Sequence, residues 1–393
     1  MKVSVELYAG DDLNNAAVRS RTNLDLPAAR PPANFARVWR DVRNANWRTL
    51  IPTRQWVKGR QGSELQEALI LFKGSLRVLF YYSDRMFGIR SWDRVPEITR
   101  TSRTADIVVL DHPFFRRPTR SSLRIQSPPW VRLERNLAGD WESTLKLVPS
   151  KQLKRVTRHL RRFGYTAECH SGREAIRSFR NEMLVPAMKR RFGKAAILAS
   201  EASFLDECRN MIRLDLMSGE SIVASNLLSF HGTRLSIAKG ALALGYSDLK
   251  GRMDALDYFT LLVAQLTGKS VLDFGLCRAN LDDGPLRYKA KWGATLVPAG
   301  GLKANTQILV QRDNPSTRSI LRRNRFLELD GDGFALKMLA DTSECERGLR
   351  SVAARAAAVG VGRLDLFEVD KRTADELAST YGIEVNAIPF KPG

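Results

Sequence analysis

The chain has 393 residues, enough for two or three domains, and 44% of them are apolar, which excludes wholesale disorder. No run approaches about 18 consecutive apolar residues, so no membrane-spanning helix is expected. Lys and Arg total 63 against 42 Asp and Glu, and the surplus lies before Gly331, since the remainder holds 8 basic and 10 acidic residues. A basic surface of this kind draws coenzyme phosphates, nucleic acid, or acidic lipid and polysaccharide; it also serves plain solubility.

The first twelve residues lack the charged-then-apolar design of a secretion signal. Cys169, Cys208, Cys277 and Cys345 show no paired spacing and read as reduced, cytoplasmic thiols. His112, His159, His170 and His231 have no metal-ligand spacing, so no metal is expected. Cys169 and His170 are either half of a distant zinc site or a surface pair.

Taken in order, Val3–Leu7 reads as an edge strand, and Pro27, Pro31 and Pro32 mark a linker. Trp47–Val57 is strand-like, Ser63–Leu71 a short helix separated by Gly74 from a strand at Ser75–Tyr82. Asp106–Leu110 is a buried strand. Asp111 and His112 follow it, as an acid/base pair at a strand end or as a capping Asp beside a surface His. One or two strands occupy Leu123–Leu133. Lys151–Phe163 is a helix with Leu153, Val156, Leu160 and Phe163 on one stripe, and Ser150 is its expected N-cap. Its other faces carry Lys151, Lys154, Arg155, Arg158, Arg161 and Arg162, which can hold phosphate or simply be solvated. A helix from Arg173 should kink or end at Pro186, with Lys189, Arg190, Arg191 and Lys194 beyond it. A third helix is expected over Phe204–Met217.

Two strand-like runs follow, Ile222–Phe230 and Leu235–Leu244, joined by a turn at His231–Thr233. The polar connection Tyr246–Met253 leads to a helix over Asp254–Leu266, ended by Gly268. Val271–Gly275 is a short buried strand, Leu286–Trp292 a short helix and Thr295–Val297 a strand. Beyond them come a strand at Gln307–Val310, a basic helix at Arg318–Arg325 and a strand at Phe334–Leu339. The chain closes with helix Glu346–Val359, strand Arg363–Val369, helix Thr373–Tyr381 capped by Thr373, and strand Glu384–Phe390. This tail echoes the βαβ unit about 90 residues earlier, as a duplication or by coincidence.

The segment Val271–Ala294 resembles the end of the acyltransferase domain of the GNAT superfamily. The residues that carry the likeness are Asp273-Phe274-Gly275, Gly284, Tyr288-Lys289 and Trp292-Gly293. The similarity is greatest to the branch associated with cellulose biosynthesis, with the Fem-type aminoacyl-tRNA-dependent transferases as cousins. Phe179–Ala195 and the basic helix at 150–162 resemble the same group, so the likeness spans roughly residues 145–300. It implies an α/β fold with a mixed sheet, a GNAT-like domain in a tandem pair followed by a small C-terminal α/β extension. Residues 1–145 would be an N-terminal α/β domain, 146–300 the acyltransferase domain and 301–393 a C-terminal α/β module.

Such enzymes move an acyl group from a thioester to an amine, or to a sugar hydroxyl. The amine must lose a proton, the thioester oxygen needs hydrogen-bond donors, and the leaving thiolate gains from an acid. The resemblance implies an acyl-CoA donor, acetyl-CoA first, with its pyrophosphate on Lys250, Gly251, Arg252 and Met253 at a helix N-terminus. That loop has one glycine where the family has more, and is otherwise an ordinary turn. Asp248 is the first candidate base, or a turn residue. Asp273 is a second catalytic candidate, or the buried partner of Lys289 or an arginine. Tyr288 is the candidate acid. Tyr246, Arg278, Arg287 and Lys289 are placed to bind a small-molecule or saccharide acceptor, and Trp292-Gly293 reads as packing. Rival readings are a Fem-like transferase using tRNA and a non-catalytic anion-binding module. Peripheral contact with an acidic membrane surface also stays open.

Overall fold

The computed structural model describes residues 6–7, 18–19, 57–61, 68–73, 86, 93–94, 105–111, 123–192, 198–298, 306–340 and 346–390. The strand expected over 75–82, the proline-bearing linker, His112 and Cys345 lie outside them. By contacts the chain divides into two compact units. Met1–Asp41, Glu134–Gly275 and Lys291–Ala294 form the first; Val42–Leu133, Leu276–Ala290 and Thr295–Gly393 form the second. The expected boundaries at 145 and 300 follow the chain, whereas these units interleave it.

The first unit is mixed α/β. The elements lying wholly or mainly in it are β1 (Val131–Asn136), α1 (Trp141–Lys146), α2 (Ser150–Phe163), β2 (Tyr165–Ser171), α3 (Arg173–Ser178, continued by Phe179–Leu184 and Val185–Phe192), α4 (Glu201–Glu207), β3 (Ile212–Ser218), β4 (Ser221–His231), β5 (Arg234–Leu242), α5 (Arg252–Leu266) and β6 (Val271–Cys277), with the first three residues of β1 and the last two of β6 in the second unit. The strand order is β1-β6-β5-β4-β3-β2, followed by Glu6–Leu7 and Val18–Arg19. β2 to β5 form an antiparallel meander, and β5 pairs with β6 in parallel.

Each helix matches the face it covers. α5 is buried continuously from Asp254 to Ala264, so it needs no polar side and lies across β2–β5. α2 packs beside it, burying Val156 and Leu160, and turns all its lysines and arginines but Arg155 outward. α3 and α4 cover the opposite face with Ile176, Phe179, Phe204 and Leu205 around Leu227 of β4.

Several expectations need correction. Pro149, not Ser150, precedes the first helical residue of α2, and no side chain caps it. Pro186 neither ends nor breaks α3. The turns just before it, Phe179–Leu184, widen to π geometry, which accommodates the ring and the missing N–H. The helix expected through Met217 stops at Glu207, and Ile212–Met217 is a strand buried on both faces. Such a strand lacks the in-out alternation that distinguishes it from a helix. Ala68–Lys73 is likewise a strand where a helix was expected to Leu71. Asp370, not Thr373, caps the last helix, accepting from the Thr373 N–H at 2.9 Å. Cys169 and His170 are neighbours on β2 and so point to opposite faces, which rules out a shared metal.

The second unit contains a six-stranded sheet in which Thr306–Val310 pairs between Ile107–Asp111 and Leu123–Ser127. A four-stranded sheet runs Phe326–Asp330, Gly333–Leu339, Arg363–Phe367, Glu384–Ile388, its last three strands parallel. One core joins the two sheets: Ile70, Phe72, Ile107 and Ile308 share it with Phe326, Leu339 and Phe367. No described helix of the chain is long and apolar enough to cross a membrane.

Candidate functional site

β5 and β6 lie side by side for only three rungs: Arg234 with Val271, Leu235 with Leu272, and Ser236 with Asp273. Beyond Ser236 and Asp273 they part. Gly275 sits at φ 77°, a left-handed backbone that turns β6 aside and that an L side chain resists. On β5, Ser236 to Lys239 are half-buried and Gly240 is exposed, although the strand runs through the middle of the sheet. A fork therefore opens between the two parallel strands, where an open α/β sheet places its ligands.

Backbone donors face this fork. The Ala243 N–H bonds the Val223 carbonyl at 3.1 Å. In an antiparallel pair, alternate residues turn both backbone groups to the neighbour. Ala241 and Lys239 thus face β4, and Gly240 and Leu242 turn their N–H groups the other way, toward the opening. A bulge between Leu227 and Leu228 shifts the register just below, opposite Ile237–Lys239. A Cβ on Gly240 would lie 2.6 Å from the Asn226 Oδ1, so a side chain there would require Asn226 to shift.

Asp273 sits at the fork's vertex, 3% exposed. Its carboxylate accepts from the Ser236 hydroxyl at 3.1 Å and from the Gly275 N–H at 2.7 Å. Ser236 was not singled out from the sequence. It is 37 positions away, and only the parallel register brings it opposite Asp273.

The loop after β5 leads to α5. Tyr246 is half-buried, and Asp248 and Lys250 are exposed. Tyr165 pins the loop by donating to the Lys250 carbonyl at 3.0 Å, and burial pushes this phenol up to about 12. Gly251, at φ 73°, is the residue before the first turn of α5, and a Cβ on it would run into the His159 ring of α2. The Arg252 guanidinium turns back to the Val223 and Ala243 carbonyls at 3.1 and 2.9 Å, and burial lowers its pKa. Of the four residues expected to hold phosphate, Arg252 thus offers its backbone rather than its charge. Asp254, in the same first turn, bonds Gln152 at 3.0 Å and Arg155 at 3.1 Å. These contacts seat α2 against the start of α5.

Gly251→Ala is expected to cost about 2 kcal/mol from the left-handed backbone and the blocked space. Adding His159→Ala should recover the part due to the ring. Urea unfolding of the single and double variants checks this; an unchanged midpoint for the single variant would rule out the loop geometry.

Arg278, Arg287, Tyr288 and Lys289 belong to the second unit. Lys289 donates to the Leu276 carbonyl at 3.1 Å and, as a positive charge, offsets part of the burial that pushes the Cys277 thiol up. Trp292 is fully buried in the first unit, and its carbonyl accepts from the Arg135 guanidinium at 2.5 Å. Arg135 also bonds the Thr144 carbonyl, and burial lowers its pKa to about 10. Gly293 leaves only 3.2 Å between a Cβ and the Leu147 carbonyl. The Trp-Gly pair is thus fixed by packing against β1 and α1.

No protein-family model matches this sequence, and no curated protein matches it. Among solved structures the chain is similar to FemX, at 12% identity and a TM-score of 0.37, covering 63% of this chain and 82% of that one. It is similar to L-PGS from Bacillus licheniformis, at 12% identity and TM-score 0.33, covering 68% and 84%. A GCN5-related N-acetyltransferase from Kribbella flavida is similar at 10% identity and TM-score 0.25, covering 85% and 82%.

Proposed function

We propose that the first unit is a GNAT-type acyltransferase that moves an acyl group from acyl-CoA, acetyl-CoA first, to an amine or a sugar hydroxyl. One observation carries the reading: the parting of β5 and β6 after Ser236 and Asp273, with the first turn of α5 beyond it. A thioester arm can lie in that fork with its phosphates toward Lys250–Met253, where free N–H groups and the helix dipole favour anions.

In this reading the amine nitrogen attacks the thioester carbon. As the C–N bond forms, the carbonyl oxygen becomes negative and takes the N–H groups of Gly240 and Leu242. One proton leaves the nitrogen to Ser236 Oγ as Ser236 passes its own to Asp273. The C–S bond then breaks and the electron pair leaves on the coenzyme sulfur. No covalent acyl-enzyme is needed. Asp248, in the exposed loop, is the alternative base.

A second reading, transfer from aminoacyl-tRNA, is favoured by Arg252, whose charge is spent on strand-end carbonyls rather than on a pyrophosphate. Thermal unfolding with coenzyme A, acetyl-CoA and total tRNA, each alone, separates the two. A ligand at a hundred times its Kd adds about 2.7 kcal/mol. A rise with coenzyme A or acetyl-CoA supports the first reading, and a salt-sensitive rise with tRNA alone supports the second. No rise with any of them would leave a non-catalytic fold.

A further inference from the structure

α2 carries a second, separate feature. Its exposed cations are Lys151, Lys154, Arg158, Arg161 and Arg162. At 100° per residue these fall within one third of the helix circumference, and steps of three and four residues keep neighbours about 5–6 Å apart. The stripe runs about 16 Å along the helix at 1.5 Å per residue. The helix contains no acidic residue. Its sixth cation, Arg155, turns inward to Asp254 at 3.1 Å, so it does not join the stripe. An open space of about 770 Å3 lies against the stripe, bounded among the described residues by Ser150, Leu153 and Thr157 together with Lys154, Arg158, Arg161 and Arg162.

We infer that this cationic face of α2 binds a single nucleic-acid strand through its phosphodiester backbone. Cations at one-turn intervals along a line match a chain of regularly spaced single charges better than they match one compact anion. Among the described residues the exposed large hydrophobics are Leu147, Leu244, Leu266 and Leu276, and only Leu147 lies near the start of α2, which is too little apolar surface to insert into lipid. The described lining is cationic and holds no aromatic ring, so the contacts it offers are to backbone phosphates. Arg155 and His159 seat the neighbouring face of α2 on the first turn of α5. The inference does not require that the donor be acyl-CoA.

The test uses the full chain and a labelled single strand of about 15 nucleotides, as RNA and as DNA, followed by fluorescence anisotropy at several salt concentrations. Wild-type affinity should fall linearly with log salt, at about 0.7 per phosphate contacted. The triple variant Lys154→Gln/Arg158→Gln/Arg162→Gln should weaken binding about tenfold or more at low salt and flatten the slope by about 2. The control variant Lys189→Gln/Arg190→Gln/Arg191→Gln, at the exposed end of α3, should bind as wild type. Equal losses in both variants would mean that overall charge, not the stripe, does the binding, and would overturn the inference. So would absence of binding, or binding to phosphatidylglycerol vesicles without binding to either strand. Loss of the coenzyme A shift in the stripe variant, with strand binding intact, would reassign the stripe to the coenzyme. Failure of coenzyme A to shift wild type bears on the proposed chemistry alone. Circular dichroism and Tm, unchanged in both variants, exclude misfolding as the cause.

Discussion

Alanine at Asp215 is expected to destabilise the first unit by about 3–5 kcal/mol. Arg213 and Asp215 both lie on β3, 3% and 1% exposed, and their charges meet at 2.6 Å. Ser225 of β4 adds a hydrogen bond to the same carboxylate oxygen, and His170 approaches the other at 3.5 Å. Removing the carboxylate strands a buried guanidinium without its partner, which is the costly way to break a buried pair. The damage should spread, because Arg213 also bonds the Ala175 carbonyl at 3.3 Å and Ser178 Oγ at 3.0 Å. Those contacts hold α3 where it enters its π-wide turns. Hydrogen exchange at β3, β4 and α3 should therefore accelerate together. The paired change Arg213→Met/Asp215→Leu should recover most of the loss, since it removes both charges and keeps the volume. A single-variant loss below about 1 kcal/mol would show that the pair is not sealed from water.

This pair also explains where sequence reading stops. α5, β4 and β5 are legible because glycines and polar turns bound their apolar runs. β3 is not. Leu214 and Leu216 face one side, Arg213 and Asp215 are buried on the other, and the strand joins a helical pattern that began at Phe204. The π turns of α3 were equally hidden: Pro186 announces a disturbance but not how the helix absorbs it. At the candidate site, Asp273 and Gly275 were visible as a motif, and Gly251 as a lone glycine. Their partners were not, because Ser236, Tyr165 and His159 acquire roles only through strand register and helix packing. No local signal separates Thr306–Val310 from the strands it joins nearly two hundred residues earlier.

Asn at Asp273 is expected to lower turnover by about a hundredfold or more, equivalent to about 2.7 kcal/mol of transition-state stabilisation. The change is nearly isosteric. An Asn oxygen can still accept from the Gly275 N–H, so the φ 77° turn should persist and the fork should stay open. What is lost is the negative acceptor for the proton that Ser236 hands on. Ser236→Ala should lower turnover as well, and the two losses should not add, since each severs the same relay. Binding of coenzyme A should be unchanged in both, because neither side chain lies at the first turn of α5. The readout is thiol released from acetyl-CoA over a panel of amine acceptors, with the thermal shift by coenzyme A as the binding control. If Asp273→Asn turns over normally while Asp248→Asn does not, the base is the exposed loop carboxylate. The vertex carboxylate would then be a clasp that sets where β6 leaves β5. Additive losses in the double variant would also break the relay, since they would assign Ser236 and Asp273 to separate tasks.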